Sequence, residues 1–201
     1  MKRTLIRIGI GIAVVGLLAV VGLAGRHYWD MMAGSRESGT AAIGGPFSLV
    51  DGEGRTVTEA DFRGRPLLVY FGYTYCPDVC PTTLSTIAET LDLLGDEGRD
   101  IAVLFISVDP ERDRPEHVGE YARVFHPQMV GLTGSAEQVA AAARAYRVYY
   151  AKANQDPNDP EDYAVDHSAY TYLMGRDGRF LTHFPHGISA TDMAGRIAKL
   201  L

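Results

Sequence analysis

From Leu67 to Phe71 the chain reads Leu-Leu-Val-Tyr-Phe without a polar interruption, entered by Gly64-Arg65-Pro66 and left by Gly72. A short apolar run bounded by turn residues predicts a strand buried on both faces. Ile101 to Val108 is a second such run. Between them Leu84, Ile87, Ala88, Leu91 and Leu94 recur at helical spacing, and the pattern stops before Gly95 and Gly98, which predicts a helix over 82–94. Strand, helix and strand in that order predict a right-handed parallel crossover. Pro115 to Phe125 and Ala136 to Tyr146 predict two further helices, the second on its alanine content.

Two hairpins bracket this unit. Phe47 to Val50 and Thr56 to Thr58 flank Asp51-Gly52-Glu53-Gly54, and Ala169 to Met174 and Arg179 to Phe184 flank Gly175-Arg176-Asp177-Gly178. Ala190 to Leu201 closes the chain as an amphipathic helix. Lys152 to Asp166, with five acids among Asn and Pro, predicts an exposed loop that contributes nothing to a core. A parallel βαβ half followed by a hairpin and a last helix is the element order of an α/β, thioredoxin-like fold: a mixed central sheet flanked by helices, here with an extra N-terminal β-hairpin.

The first segment differs from the rest. Ile8 to Gly25 is a run of eighteen uncharged, mostly apolar residues, nearly enough helix to span a bilayer's hydrocarbon core. Lys2, Arg3 and Arg7 precede it, so the expected orientation leaves 1–7 in the cytoplasm, 8–25 as a single transmembrane anchor and the folded domain outside. A cleaved signal peptide is the rival reading, on the small residues Leu23-Ala24-Gly25, but the run is long for a signal core and has no Ala-x-Ala. Residues 26–45, Gly-rich and polar towards their end, are expected to be a flexible tether, and 46–201 the domain.

Charge narrows the partners. The chain carries −6 overall; Lys2, Arg3, Arg7 and Arg26 against Asp30 give residues 1–30 a charge of +3, so the remainder carries −9. An acidic body argues against a nucleic-acid partner.

Candidate chemistry collects in Gly72-Tyr73-Thr74-Tyr75-Cys76-Pro77-Asp78-Val79-Cys80-Pro81, between the first buried strand and its helix. Ligand sites in open α/β sheets form outside the carboxyl ends of strands. Pro81 suits the first helical position and Cys80 the cap, which sets both sulfurs at a helix N-terminus, where partial positive charge favours thiolate. Three intervening residues let both sulfurs turn toward one metal ion and still allow a disulfide. A purely structural disulfide is the plainer alternative, but so short a loop would constrain the unfolded chain little. Thiolates favour copper(I) or zinc, and two sulfurs leave a coordination sphere unfinished. Asp78, inside the turn, is either an oxygen ligand, a hydrogen-bond partner or a helix cap.

Six histidines are available as a third donor. The strand that opens the C-terminal hairpin should run antiparallel beside the central strand, so His167, in Asp166-His167-Ser168, falls near the cysteines. His183 and His186, a pair three apart that could bind metal, read better as surface residues; His117 and His126 read as solvated, and His27 lies beside the expected anchor.

The Cys-Pro-Asp-Val-Cys-Pro run, the later Val108-Asp109-Pro110-Glu111-Arg112-Asp113, and Val165-Asp166-His167-Ser168 together resemble the Sco/SenC family over essentially all of 46–201. That resemblance implies copper as the metal, with Cys76, Cys80 and His167 as ligands. It implies a metallochaperone for the binuclear copper centre of cytochrome c oxidase, in the inner membrane of a bacterium with its domain in the periplasm. The implied partners are the oxidase's copper-site subunit and a thiol reductant or another copper chaperone. The alternative within the same resemblance is a thiol-disulfide oxidoreductase, with Cys76 and Cys80 catalytic, that keeps the oxidase cysteines reduced. Peroxidase chemistry and a zinc site are further alternatives, which the close cysteine pair and the three clear ligands fit less well. Residues 109–113 either border the site or form a loop and helix cap.

Overall fold

The computed structural model describes residues 43–153 and 162–201, with Gly22, Gly25 and Asp159 as separate further positions. The anticipated anchor at 8–25, apart from Gly22 and Gly25, and the tether up to residue 42 lie outside the described residues, as does most of 154–161. Among the described residues no helix is long and apolar enough to cross a membrane.

In chain order the elements are β1 (Ser48–Asp51), β2 (Thr56–Thr58), a 3₁₀ turn (Glu59–Phe62), β3 (Leu67–Gly72), α1 (Val79–Leu94) and α2 (Asp96–Asp100). They continue with β4 (Ala102–Ser107), α3 (Pro115–Phe125), β5 (Met129–Thr133), α4 (Ala136–Ala145), β6 (Tyr150–Ala153) and β7 (Ala164–His167). The last are β8 (Tyr170–Met174), β9 (Phe180–Pro185) and α5 (Ala190–Ile197). Seven strands form one mixed sheet in the order β2-β1-β5-β4-β3-β8-β9. Strands β3, β4 and β5 are parallel, while β8 runs antiparallel to β3 and β1 antiparallel to β5.

Every residue of β3 and β4 is buried, as their unbroken apolar runs require. The register Leu67↔Ala102 to Gly72↔Ser107 brings their carboxyl ends out together, and Thr171 of β8 lies opposite Tyr70. The start of β8 therefore meets the end of β3, as the hairpin placement predicts. Helices α1 and α5 pack through Thr90, whose hydroxyl donates to the Met193 sulfur at 3.3 Å. The expected mixed α/β architecture, including the front hairpin, is present.

Four details differ from the expectation. Strand β5 was not anticipated, because its apolar run is broken by Gly131. The glycine is needed there: a Cβ would stand 2.1 Å from the Val118 carbonyl oxygen. A short helix, α2, continues past Gly95. Helix α1 begins at Val79 with Asp78 as its N-cap residue, so Cys80 and Pro81 both lie inside the first turn rather than at the cap and first position. The acidic stretch is only partly loop: β6 and β7 pair antiparallel as a separate two-stranded ribbon, from Tyr150↔His167 to Ala153↔Ala164, and Tyr163 and Val165 are buried. Their inward side chains alternate with exposed acids over too few residues for the period to stand out from the polar neighbours.

Candidate metal centre

Two cysteines, one imidazole and two tyrosines meet where β3, α1 and the β6–β7 ribbon come together. Cys80 is fully buried in the first turn of α1, and Cys76 is half-buried in the turn leading to it; both are free thiols. The Cys80 backbone N–H donates to Cys76 Sγ at 3.4 Å. This bond, together with that from the Asp78 backbone, is the local form of the helix N-terminus argument: unpaired amides aimed at a sulfur.

His167 ends β7, and its Nε2 stands 3.4 Å from Cys80 Sγ. From the sheet side the Tyr70 hydroxyl donates to the same sulfur at 3.6 Å. The Tyr73 ring closes the other flank, edge-on to His167 with centroids 5.9 Å apart. The pocket above is lined by Tyr73, Cys76, Asp78, Tyr149 and His167.

The two sulfurs are electrostatically unequal. Cys76 is drawn down to about 5, first by the hydrogen bond it receives from the Cys80 thiol, then by the amides of Cys80 and Asp78 and by His167, against the opposing effect of burial. Cys80 is pushed up, first by that same hydrogen bond and then by burial and the Cys76 charge. One proton is thus shared by the pair and sits on the inner sulfur. Burial lowers His167, with Cys76 and Asp166 opposing, so the imidazole stands neutral with a lone pair to donate.

As the side chains stand, no group of three or more His, Cys, Asp or Glu among the described residues is set to hold a metal ion. Loading an ion requires loss of the Cys80 proton. The donors themselves, two soft sulfurs and a neutral imidazole, fit copper(I) better than a hard cation.

Two further residues support the site, Gly72, whose role the sequence did not suggest, and Asp113, in the stretch expected either to border the site or to cap a helix. Gly72, at the end of β3, leaves the space Cys80 fills, since a Cβ there would lie 2.7 Å from Sγ. A glycine closing an otherwise apolar strand is the signal for such close approach. Asp113 is buried and accepts from the Thr74 backbone N–H at 3.0 Å, from the Thr74 hydroxyl and from Ser107 Oγ. The 109–113 stretch therefore borders the site, gripping the turn that carries Cys76. It supplies no side-chain cap to α3, whose N-cap residue is Arg114.

Asp78 occupies the cap position of α1, but its carboxylate makes no cap bond to the helix amides and accepts instead from Thr82 Oγ1 at 3.4 Å. His117, His183 and His186 are exposed. His186 Nδ1 lies 3.0 Å from Thr83 Oγ1, one turn beyond Cys80, and His183 packs against the Tyr170 ring.

The SCO1/SenC family profile matches residues 35–201. The chain belongs to the SCO1/SenC family. It is 46% identical over 193 residues to protein SenC of Rhodobacter capsulatus, covering 94% of this chain and 86% of that one. Human SCO1 homolog, mitochondrial, is 44% identical over 165 residues, 81% of this chain; the match spans about half, 54%, of the human protein's length. The crystal structure of Arabidopsis thaliana ScoI with copper bound superposes with a TM-score of 0.73 at 42% identity, covering 79% of this chain and 97% of that one.

Proposed function

We propose that this SCO1/SenC protein is a copper metallochaperone, taking copper(I) as cargo through Cys76, Cys80 and His167 and passing it to the copper-site subunit of cytochrome c oxidase. The observation that carries the reading is the 3.4 Å approach of His167 Nε2 to Cys80 Sγ, from an element outside the main sheet. A dithiol working only on disulfides needs no third donor beside it. Support comes also from copper bound to the Arabidopsis relative and from the description of Sco proteins as cytochrome c oxidase assembly proteins.

In this reading Cys76 is the entry ligand. It is the accessible sulfur and is already a thiolate near neutral pH. Cys80 releases its proton as it becomes the second ligand, and neutral His167 donates from Nε2. Transfer proceeds by stepwise exchange, each donor leaving as one from the acceptor replaces it. Residues 8–25 are proposed to anchor the domain at the inner membrane, facing the periplasm.

Anaerobic copper titration of the full chain, with absorption spectroscopy of the copper(II) form, tests the reading. Sulfur-to-copper charge transfer should require both cysteines. Uptake that survives Cys76→Ser and Cys80→Ser together would overturn it.

The uneven pair supports a second reading, thiol-disulfide exchange. The Cys76 thiolate would attack one sulfur of a target disulfide, expelling the other as thiolate, and Cys80 would then displace the target to close a Cys76–Cys80 disulfide. Two electrons pass to the target, and a thiol reductant must restore the pair.

A further inference from the structure

His167 reaches Cys80 from a ribbon that shares no strand pairing with the seven-stranded sheet. What keeps the imidazole in place is therefore how the ribbon is fastened to the body. Bonds at its root, Ser168 N–H to Tyr149 O at 2.9 Å and Tyr149 N–H to Ser168 Oγ at 3.1 Å, join the two ribbon arms to each other and not to the sheet. Tyr73 provides one link to the body, through a hydrogen bond with the Val165 backbone.

The stronger link lies at the far end. Tyr163, the residue before β7, is buried, and its hydroxyl donates to Asp109 Oδ1 at 2.7 Å. The Arg112 guanidinium lies over its ring, 3.6 Å from the centroid, and donates through Nε to Asp109 Oδ2 at 2.6 Å. Lys152, from β6, places Nζ 4.4 Å from the same ring and pairs with Glu111 at 2.6 Å. All the body-side partners come from the 109–112 turn, at the carboxyl end of β4. A carboxylate and a guanidinium buried together hold a phenol more firmly than either would in water.

We propose that Tyr163 is a positioning residue for His167: it locks the β6–β7 ribbon onto Asp109 and Arg112 and thereby holds the imidazole beside Cys80. Tyr163 touches neither sulfur and takes no part in ligation. Its functional meaning rests on the copper reading above. Groups that orient a metal ligand commonly account for about 10–100-fold in metal affinity, and that is the range expected here.

The test is Tyr163→Phe in the full chain, which removes the bond to Asp109 and keeps the ring under Arg112. In the copper-free protein, nuclear Overhauser contacts between the His167 and Tyr73 rings should weaken. Copper(I) affinity, read by chelator competition, should fall about 10–100-fold, with no further fall when the change is made on top of His167→Ala. An equal fall in both backgrounds, or unchanged ring contacts, would overturn the proposal. A wild-type chain that takes up no copper would end the metallochaperone reading alone, and the copper-free ring contacts would still decide for or against the clamp.

Discussion

Cys80 and His167 are 87 positions apart in the chain, yet their sulfur and nitrogen stand 3.4 Å from each other. The contact joins the first turn of α1 to the end of a ribbon outside the main sheet. The closeness of sulfur and nitrogen therefore depends on how the ribbon packs against the body. Cys76 and His167 are half-buried and line the pocket, whereas Cys80 is fully buried.

The first consequence concerns reactivity. Cys76, held at about 5 by the Cys80 thiol and the amides at the helix start, against an ordinary 9.0, should be alkylated by iodoacetamide with a pH midpoint near the lower value. Cys80 should react only after unfolding. The linkage sign follows from a thiol whose folded value is depressed: its stabilisation is present above the unfolded value and is lost as pH falls toward about 5. Thermal unfolding of the reduced protein between those limits, compared with Cys76→Ser, reads this directly; a slope unaffected by the substitution would contradict it.

A second consequence follows from Gly72. Alanine there would set a Cβ 2.7 Å from Cys80 Sγ and 3.0 Å from the Phe105 ring, so the sulfur must move. Gly72→Ala should cost about 1–3 kcal/mol in urea unfolding. It should also change the charge-transfer spectrum of the copper(II) form, which a mere loss of stability elsewhere would leave alone.

Much of this was legible before any coordinates. Unbroken apolar runs gave β3 and β4 because burial on both faces excludes polar residues, and the helix expected over 115–125 is α3 at its observed limits. The cysteines follow from where β3 ends, whereas the same argument puts His167 at the opening of the hairpin strand and reaches its neighbourhood only because the ribbon lies beside it. Other features were not legible. Strand β5 hides behind Gly131, whose presence answers a steric demand from Val118 rather than a local preference. The β6–β7 ribbon is hidden because Tyr163 and Val165 gain their burial from Asp109, Arg112 and Tyr73, partners some 50 to 90 positions away by the pairings that hold them. His167 consequently closes β7 instead of opening β8, a distinction only tertiary pairing makes.

Asp113 supplies a third test. Its carboxylate takes one backbone N–H and two hydroxyls in a buried setting, so Asp113→Ala leaves three donors without an acceptor. The expected cost is roughly 2–4 kcal/mol. Because Thr74 belongs to the turn that presents Cys76, the variant should also show faster amide exchange at residues 74–76 than at the centre of β3. Uniform acceleration across the domain would mean that Asp113 supports the fold without specifically holding the turn.

The two readings of the dithiol separate at His167. A metal site loses one of three donors in His167→Ala, so copper(I) affinity should fall by more than about a hundredfold, beyond the range seen when only a supporting group is removed. Disulfide exchange depends on the Cys76 thiolate and on Cys80 as the resolving thiol. Most of what lowers Cys76 comes from the Cys80 thiol and the amides, with His167 the smallest contributor. The exchange rate with a small disulfide should therefore stay within about threefold of wild type, since the imidazole contributes least to the lowering of Cys76. Chelator competition and exchange kinetics on the same preparation give both numbers. A parallel loss of both would mean that the imidazole serves the thiol pair as a whole and that copper retention has no donor of its own.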